Sequence, residues 1–172
     1  MADYPNETEC ITLIGMAGAG KSTLGKLLAH ELGWMFIDTD HLIEAQYGTT
    51  LQAVTDTMTK EEFLDVECAV IKNLRASRCV IATGGSVVYR EPAMEHLNAL
   101  GPVCHLEVAL ERILERIAQN PDRGLAIAPG QTVEDLFYER EALYKKYSNV
   151  TVQCTEKTPE QCVTALLKAI GA

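Results

Sequence analysis

Gly15-Met16-Ala17-Gly18-Ala19-Gly20-Lys21-Ser22 is the stretch on which the reading of the chain turns. It follows an apolar run, Cys10 to Ile14, that reads as a buried strand. It opens an amphipathic run, Lys21 to Leu32, with Leu24, Leu27, Leu28 and Leu32 on one helical face. A glycine-rich turn between strand and helix, ending in Gly-Lys-Ser, is the pattern of a phosphate-binding loop. The glycines let the backbone curl until its N–H groups face inward. Those groups and the helix N-terminus form a nest for an anion. Lys21 then reaches the β- and γ-phosphates of ATP, and the Ser22 hydroxyl sits on Mg²⁺. Gly15, Gly18, Ala19, Gly20, Lys21, Ser22 and Thr23 are therefore the candidate nucleotide-binding residues. The bland alternative is a glycine-rich turn followed by a surface lysine.

Working outward, short apolar runs alternate with longer amphipathic ones. Strands are expected at Trp34 to Ile37, Cys79 to Ala82, Val103 to Val108 and Val150 to Gln153. Helices are expected at Asp40 to Tyr47, Lys60 to Ala76, Pro92 to Leu100, Leu110 to Gln119, Val133 to Tyr147 and Pro159 to Ile170. Gly33 is a helix stop and Thr132 a helix N-cap. Such alternation predicts a parallel sheet covered on both faces. Ligands of such sheets bind at the carboxyl ends of the strands. The segment Asn120 to Gly130 contains two prolines and two glycines and joins two helices, which reads as a mobile lid. No repeat or shift in composition marks a second domain, so residues 1–172 are read as one domain.

Composition narrows the function. The formal net charge is −9, so a duplex-binding surface is not expected. An acidic protein must hold ATP by a local arrangement rather than a global field. No run approaches the ~20 apolar residues of a membrane span. Met1 to Glu9 is polar and acidic, unlike a signal or transit peptide, which predicts a cytoplasmic protein without a membrane partner. The six cysteines lack close pairing and read as buried reduced thiols. The four histidines show no zinc-ligand spacing.

With the loop read alongside Asp38-Thr39-Asp40, Thr83-Gly84-Gly85 and the series Arg116, Arg123 and Arg140, the chain resembles the shikimate kinase family from Ile11 to Ile170. The resemblance implies a P-loop NTPase fold of the nucleoside-monophosphate-kinase type, a three-layer α/β/α domain. Its parallel sheet would have five strands in the order 2-3-1-4-5, with a lid at about 120–130 and an acceptor-binding region at about 39–76. It implies a monomeric phosphotransferase that moves the γ-phosphoryl of Mg-ATP to an alcohol of a small carboxylate-bearing metabolite. Shikimate is the default acceptor.

The resemblance also implies roles. Asp38 supports the Mg²⁺ shell with Ser22. Asp40 binds the acceptor hydroxyl and can take its proton. Alternatively, an aspartate at this point simply caps a helix. Gly84 and Gly85 let backbone N–H groups approach substrate, or else form a plain turn. Arg123 is the lid arginine, catalytic with Lys21 and Asp40, or else a solvated loop residue. Arg116, Lys157 and Pro159 flank the adenine. Arg116 has no acidic neighbour at helical spacing, although a solvated arginine is the alternative. Arg140 grips the acceptor carboxylate, or else lies exposed on a charged helix face. Phe63 and Glu67 match their counterparts.

The acceptor half departs from the pattern. Leu64 stands where the family has a second carboxylate-gripping arginine. Thr55 stands where it often has an aromatic wall, and Ser86 replaces a third glycine. Ser86 would narrow the pocket or donate a new hydrogen bond. Arg123 is followed by Gly124 instead of proline. Two alternatives follow: a kinase for a different acceptor such as homoserine, whose ammonium suits Leu64 better than an arginine, or a non-catalytic nucleotide-binding regulator.

Overall fold

The computed structural model describes residues 9–120 and 125–171. At its centre lies β1 (Ile11–Ile14), four residues buried without exception. That is the pattern of a strand covered on both faces. β3 (Cys79–Ala82) lies on one side, with Ile11 opposite Val80 and Leu13 opposite Ala82. β4 (Val103–Glu107) lies on the other, with Leu13 opposite Cys104. The edges are β2 (Met35–Asp38) and β5 (Val150–Gln153), both less buried. All pairings are parallel, and the order is β2-β3-β1-β4-β5. The expected three-layer sheet is thus the one observed. The direction of winding reverses at β1, so the loops after β1, β2 and β3 open into one crevice.

Helices flank the sheet. α1 (Lys21–Leu32) packs on α8 (Pro159–Ile170) and against β2 and β3. α4 (Lys60–Asn73) packs on α5 (Glu91–Leu100), and α7 (Val133–Tyr147) on α6 (Leu110–Ala118) and β4. α2 (Thr39–Tyr47) and α3 (Leu51–Asp56) connect β2 to α4.

Several boundaries differ from the sequence reading for identifiable reasons. Trp34 is not in the second strand. Gly33 adopts φ 64° and the Trp34 N–H donates to the Ala29 carbonyl at 2.8 Å, so Trp34 completes the C-terminal cap of α1. α4 stops at Asn73 because Leu74 is already extended. α3 and a 3₁₀ turn at Val87–Tyr89 were not anticipated, since six and three residues are too few for a helical period to emerge.

All six cysteines carry free thiols, five of them buried. Burial alone pushes the Cys104 thiol up to about 12. Among the described residues, no helix is long and apolar enough to cross a membrane.

Candidate active site

The phosphate loop is shaped by backbone. Gly18 and Gly20 hold φ 83° and 92°, left-handed values that other residues rarely adopt. Gly15 is tight as well, since a Cβ there would lie 2.9 Å from the Leu106 carbonyl oxygen. The N-cap of α1 is Gly20, with no side chain bonded to the first turn. By contrast, α3, α4, α7 and α8 each begin with a threonine that accepts a backbone N–H. The opening N–H groups of α1 therefore have no side-chain oxygen capping them, as an anion site requires. Lys21 is buried and arches over the loop. Its Nζ donates to the carbonyls of Gly15 and Met16, both at 2.7 Å.

Ser22 Oγ donates to Asp38 Oδ2 at 2.7 Å. The other Asp38 oxygen accepts the Asp40 N–H at 3.0 Å and caps α2. The cap that was the alternative reading of Asp40 is thus supplied by Asp38 instead. Its two oxygens tie the phosphate loop to the loop after β2. Asp40, two residues on, is freed from capping and faces the crevice. Burial first, then the neighbouring Asp38 charge, raises its carboxyl to about 6, while Lys21 opposes the shift.

A cavity of about 410 Å³ brings these groups together. It is lined by Lys21, Ser22, Asp38 and Asp40 on the phosphate side and by Phe63, Gly84, Gly85, Ser86 and Arg140 on the other. Arg140 is 1% exposed, so it is not the solvated helix-face arginine of the alternative reading. Its Nη2 donates to the Ala126 carbonyl at 2.9 Å and its Nε to the Tyr89 hydroxyl at 3.3 Å. Among the described residues, no carboxylate lies within ion-pair distance of it. Tyr144 donates to the Gly85 carbonyl at 2.7 Å and so fixes the glycine loop.

A second cavity of about 310 Å³ adjoins the loop on its far side. Gly18, Ala19, Gly20, Thr23, Arg116, Lys157 and Pro159 line it. Arg116 Nη1 donates to the Gly18 carbonyl at 2.7 Å, which anchors the guanidinium there. Arg123 lies outside the described residues.

Two departures from the sequence reading matter, at Thr55 with Leu64 and at Glu67, while Ser86 makes the new hydrogen bond that was one of its two expected effects. Thr55 and Leu64 do not line the acceptor cavity. Thr55 bonds back to the Gln52 carbonyl at 2.9 Å, and Leu64 is core at 2% exposure. The cavity wall there is Thr50, Leu51 and Gln52, on and before α3. Ser86 is buried and donates to Glu67 Oε2 at 2.7 Å. Glu67 itself received no role from its sequence. The available signal was a carboxylate on the apolar face Phe63, Leu64, Ile71 of α4. Burial, reinforced by the Asp40 charge, raises it to about 7.

A phosphate-gripping loop and a carboxylate of raised basicity in one crevice define an ATP-dependent phosphotransferase acting on an alcohol. The comparisons then place it. The family model described as "Shikimate kinase" matches residues 17–171. The chain is 35% identical over 161 residues to the shikimate kinase of Chromohalobacter salexigens, covering 92% of this chain and 89% of that one. A structure of Acinetobacter baumannii shikimate kinase in complex with shikimate superposes with a TM-score of 0.86 at 30% identity. It covers 94% of this chain and 92% of its own. The Aquifex aeolicus enzyme superposes at 0.79, also at 30% identity. The chain belongs to the shikimate kinase family.

The family chemistry implies Mg²⁺, and the residues fit it. Among the described residues there is no cluster of three or more acidic, histidine or cysteine ligands. Mg²⁺ with a nucleotide does not need one, because phosphates and waters fill most of its octahedron. A hydroxyl and a carboxylate already 2.7 Å apart at the mouth of the loop, Ser22 and Asp38, suffice.

Proposed function

We propose that this chain transfers the γ-phosphoryl group of Mg-ATP to a hydroxyl of shikimate. The observation that carries the reading is the shared cavity, in which Asp40 faces Lys21 and Ser22 on one side and Gly84, Gly85 and Arg140 on the other.

The roles follow from chemistry. The uncapped start of α1 and Lys21 hold the phosphates. Arg116, Lys157 and Pro159 hold the base. Ser22 and Asp38 would hold Mg²⁺, which would supply positive charge against the phosphate oxygens. Arg140 binds the acceptor carboxylate as a preformed fork. Asp40 orients the hydroxyl and takes its proton as oxygen attacks phosphorus. A carboxylate raised to about 6 is still ionised at neutral pH yet more basic than an ordinary one. Arg123, by resemblance, closes with the lid at about 120–130, while residues 39–76 form the acceptor-binding region of a single domain. The protein works as a monomer in the cytoplasm, with no nucleic-acid or membrane partner.

The test is ADP release from Mg-ATP with shikimate against a no-acceptor control. Strong stimulation is expected. Nucleotide binding without stimulation by any hydroxylated acceptor would instead describe a non-catalytic regulator.

A further inference from the structure

Arg140 meets the acceptor cavity with only part of its guanidinium. It is 1% exposed and, among the described residues, the one arginine that lines that cavity. Its single Nε–H is used on the Tyr89 hydroxyl oxygen at 3.3 Å, and an Nη2 hydrogen on the Ala126 carbonyl at 2.9 Å. An arginine whose Nε is committed can grip a carboxylate only end-on, through Nη1 and Nη2. Nη1 lies against Gly85, another wall residue of the cavity, where a Cβ would come within 2.9 Å of it.

Tyr89 stands behind Arg140, outside the cavity lining. It ends the 3₁₀ turn that follows the glycine loop, and its N–H donates to the Ser86 carbonyl at 3.1 Å. Its hydroxyl donates to Glu139 Oε1 while accepting from Arg140. Glu139 in turn accepts from the Gln131 side chain at 3.0 Å and has Lys60 Nζ at 3.9 Å. The Tyr89 ring lies 4.7 Å from Lys60 Nζ and 5.3 Å from Arg140 Cζ, within cation–π range of both. Burial first, and then the Glu139 bond, raises the phenol, so it keeps the proton that it donates.

A buried guanidinium needs partners, and a carboxylate set directly against it would satisfy it best. Such a carboxylate would also repel the acceptor's own and occupy the edge that the acceptor needs. Tyr89 resolves the conflict. Donation to Glu139 polarises the phenol oxygen and makes it a better acceptor for the Nε–H. The negative charge itself stays one side chain away from Arg140. We infer that Tyr89 is a positioning residue for acceptor recognition: by holding Nε of Arg140, it turns the Nη edge toward the acceptor carboxylate. The inference rests on the phosphotransfer reading above and deepens its account of Arg140. The competing description is a tyrosine that merely packs beside α7.

The experiment measures ADP release by the full chain with Mg-ATP, varying shikimate and then ATP, for the parent, Tyr89→Phe, Arg140→Lys and the double variant. Tyr89→Phe keeps the ring and removes the hydroxyl. Its KM for shikimate should rise roughly three- to tenfold, the effect of one hydrogen bond. Its kcat and its KM for ATP should stay near the parent's, because the carboxylate contact is made equally in the ground and transition states. In the Arg140→Lys background the same change should add nothing, since lysine has no planar edge for Tyr89 to aim. An unchanged KM for shikimate in Tyr89→Phe would overturn the inference. So would a matching rise in the KM for ATP, or a rise that multiplies in full onto that of Arg140→Lys, since either marks a tyrosine that merely packs. A parent whose ADP release does not respond to shikimate would end the phosphotransfer reading and this inference with it.

Discussion

The two halves of the crevice are built in different ways. The nucleotide half is made of backbone: a curled loop, the start of α1 and left-handed glycines at 18 and 20. Its key side chains, Lys21 and Ser22, lie in the same eight-residue stretch. The acceptor half is made of side chains from separate elements. Asp40 comes from α2, Glu67 from α4, Ser86 from the loop after β3 and Arg140 from α7. A backbone nest recognises phosphate whatever is attached to it. A ring of side chains is altered by single substitutions, so an enzyme can keep its donor while its acceptor site changes. Ser86, standing where the family pattern has a third glycine, is such a substitution and lines the acceptor cavity.

The largest expected effect is in the nucleotide half. Lys21→Ala should lower kcat on the order of 10³-fold, since a fixed cation at the transferring phosphoryl group is lost. Steady-state ADP release checks it, and a loss below about tenfold would mean that the loop alone stabilises the transition state. Next comes the seam between the halves. Gly84→Ala would press a methyl group against Glu67 and Asp40 at 2.6 and 2.8 Å. Displacing the base should cost roughly 10² in kcat, with ATP affinity unchanged. Equal loss of ATP binding would show that the halves are not separable. Within the acceptor half, Arg140→Ala should raise the acceptor KM roughly ten- to a hundred-fold. Because Arg140 is buried, Arg140→Lys is the companion variant. It keeps the charge and loses the fork, so partial recovery of KM is expected. An unchanged KM in both would remove Arg140 from the acceptor site.

The same contrast explains what the sequence revealed. Contiguous features were legible: the phosphate loop, the strand order through its family resemblance, and the threonine cap at Thr132. Features that exist only in three dimensions were not. The bond from Ser86 to Glu67 spans 19 residues, and that from Tyr144 to Gly85 spans 59. Nothing local in either segment signals them. Thr55 shows the opposite failure. Sequence alignment by spacing placed it at the acceptor, but α3 turns it toward its own backbone and presents Leu51 and Gln52 instead.

The acid limb of activity sharpens the role of Asp40. Raised to about 6 by burial and by Asp38, it must be ionised to accept a proton. The kcat/KM should therefore fall about tenfold between pH 7 and pH 5. A limb near the ordinary carboxylate value would mean that Asp40 is not the titrating base. Asp40→Asn should abolish the limb along with most of the rate.

The smallest expected effect concerns stability and tests whether Glu67 is held as a buried acid. Its folded-state value, about 7, lies above the ordinary glutamate value of 4.5. Between these limits the folded chain binds the proton more tightly than the unfolded one. Stability is therefore highest below pH 4.5, declines as pH rises toward 7, and is level above that as far as this group is concerned. Glu67→Gln removes the burial of charge and keeps an acceptor for Ser86. Relative to the parent, it should gain on the order of 1–3 kcal/mol on moving from pH 4.5 to pH 8, several degrees in Tm. Calorimetry of both proteins at the two pH values measures that gain. If the difference between them does not change with pH, Glu67 carries no buried charge at neutral pH, and the acceptor half has only Asp40 to offer a cation.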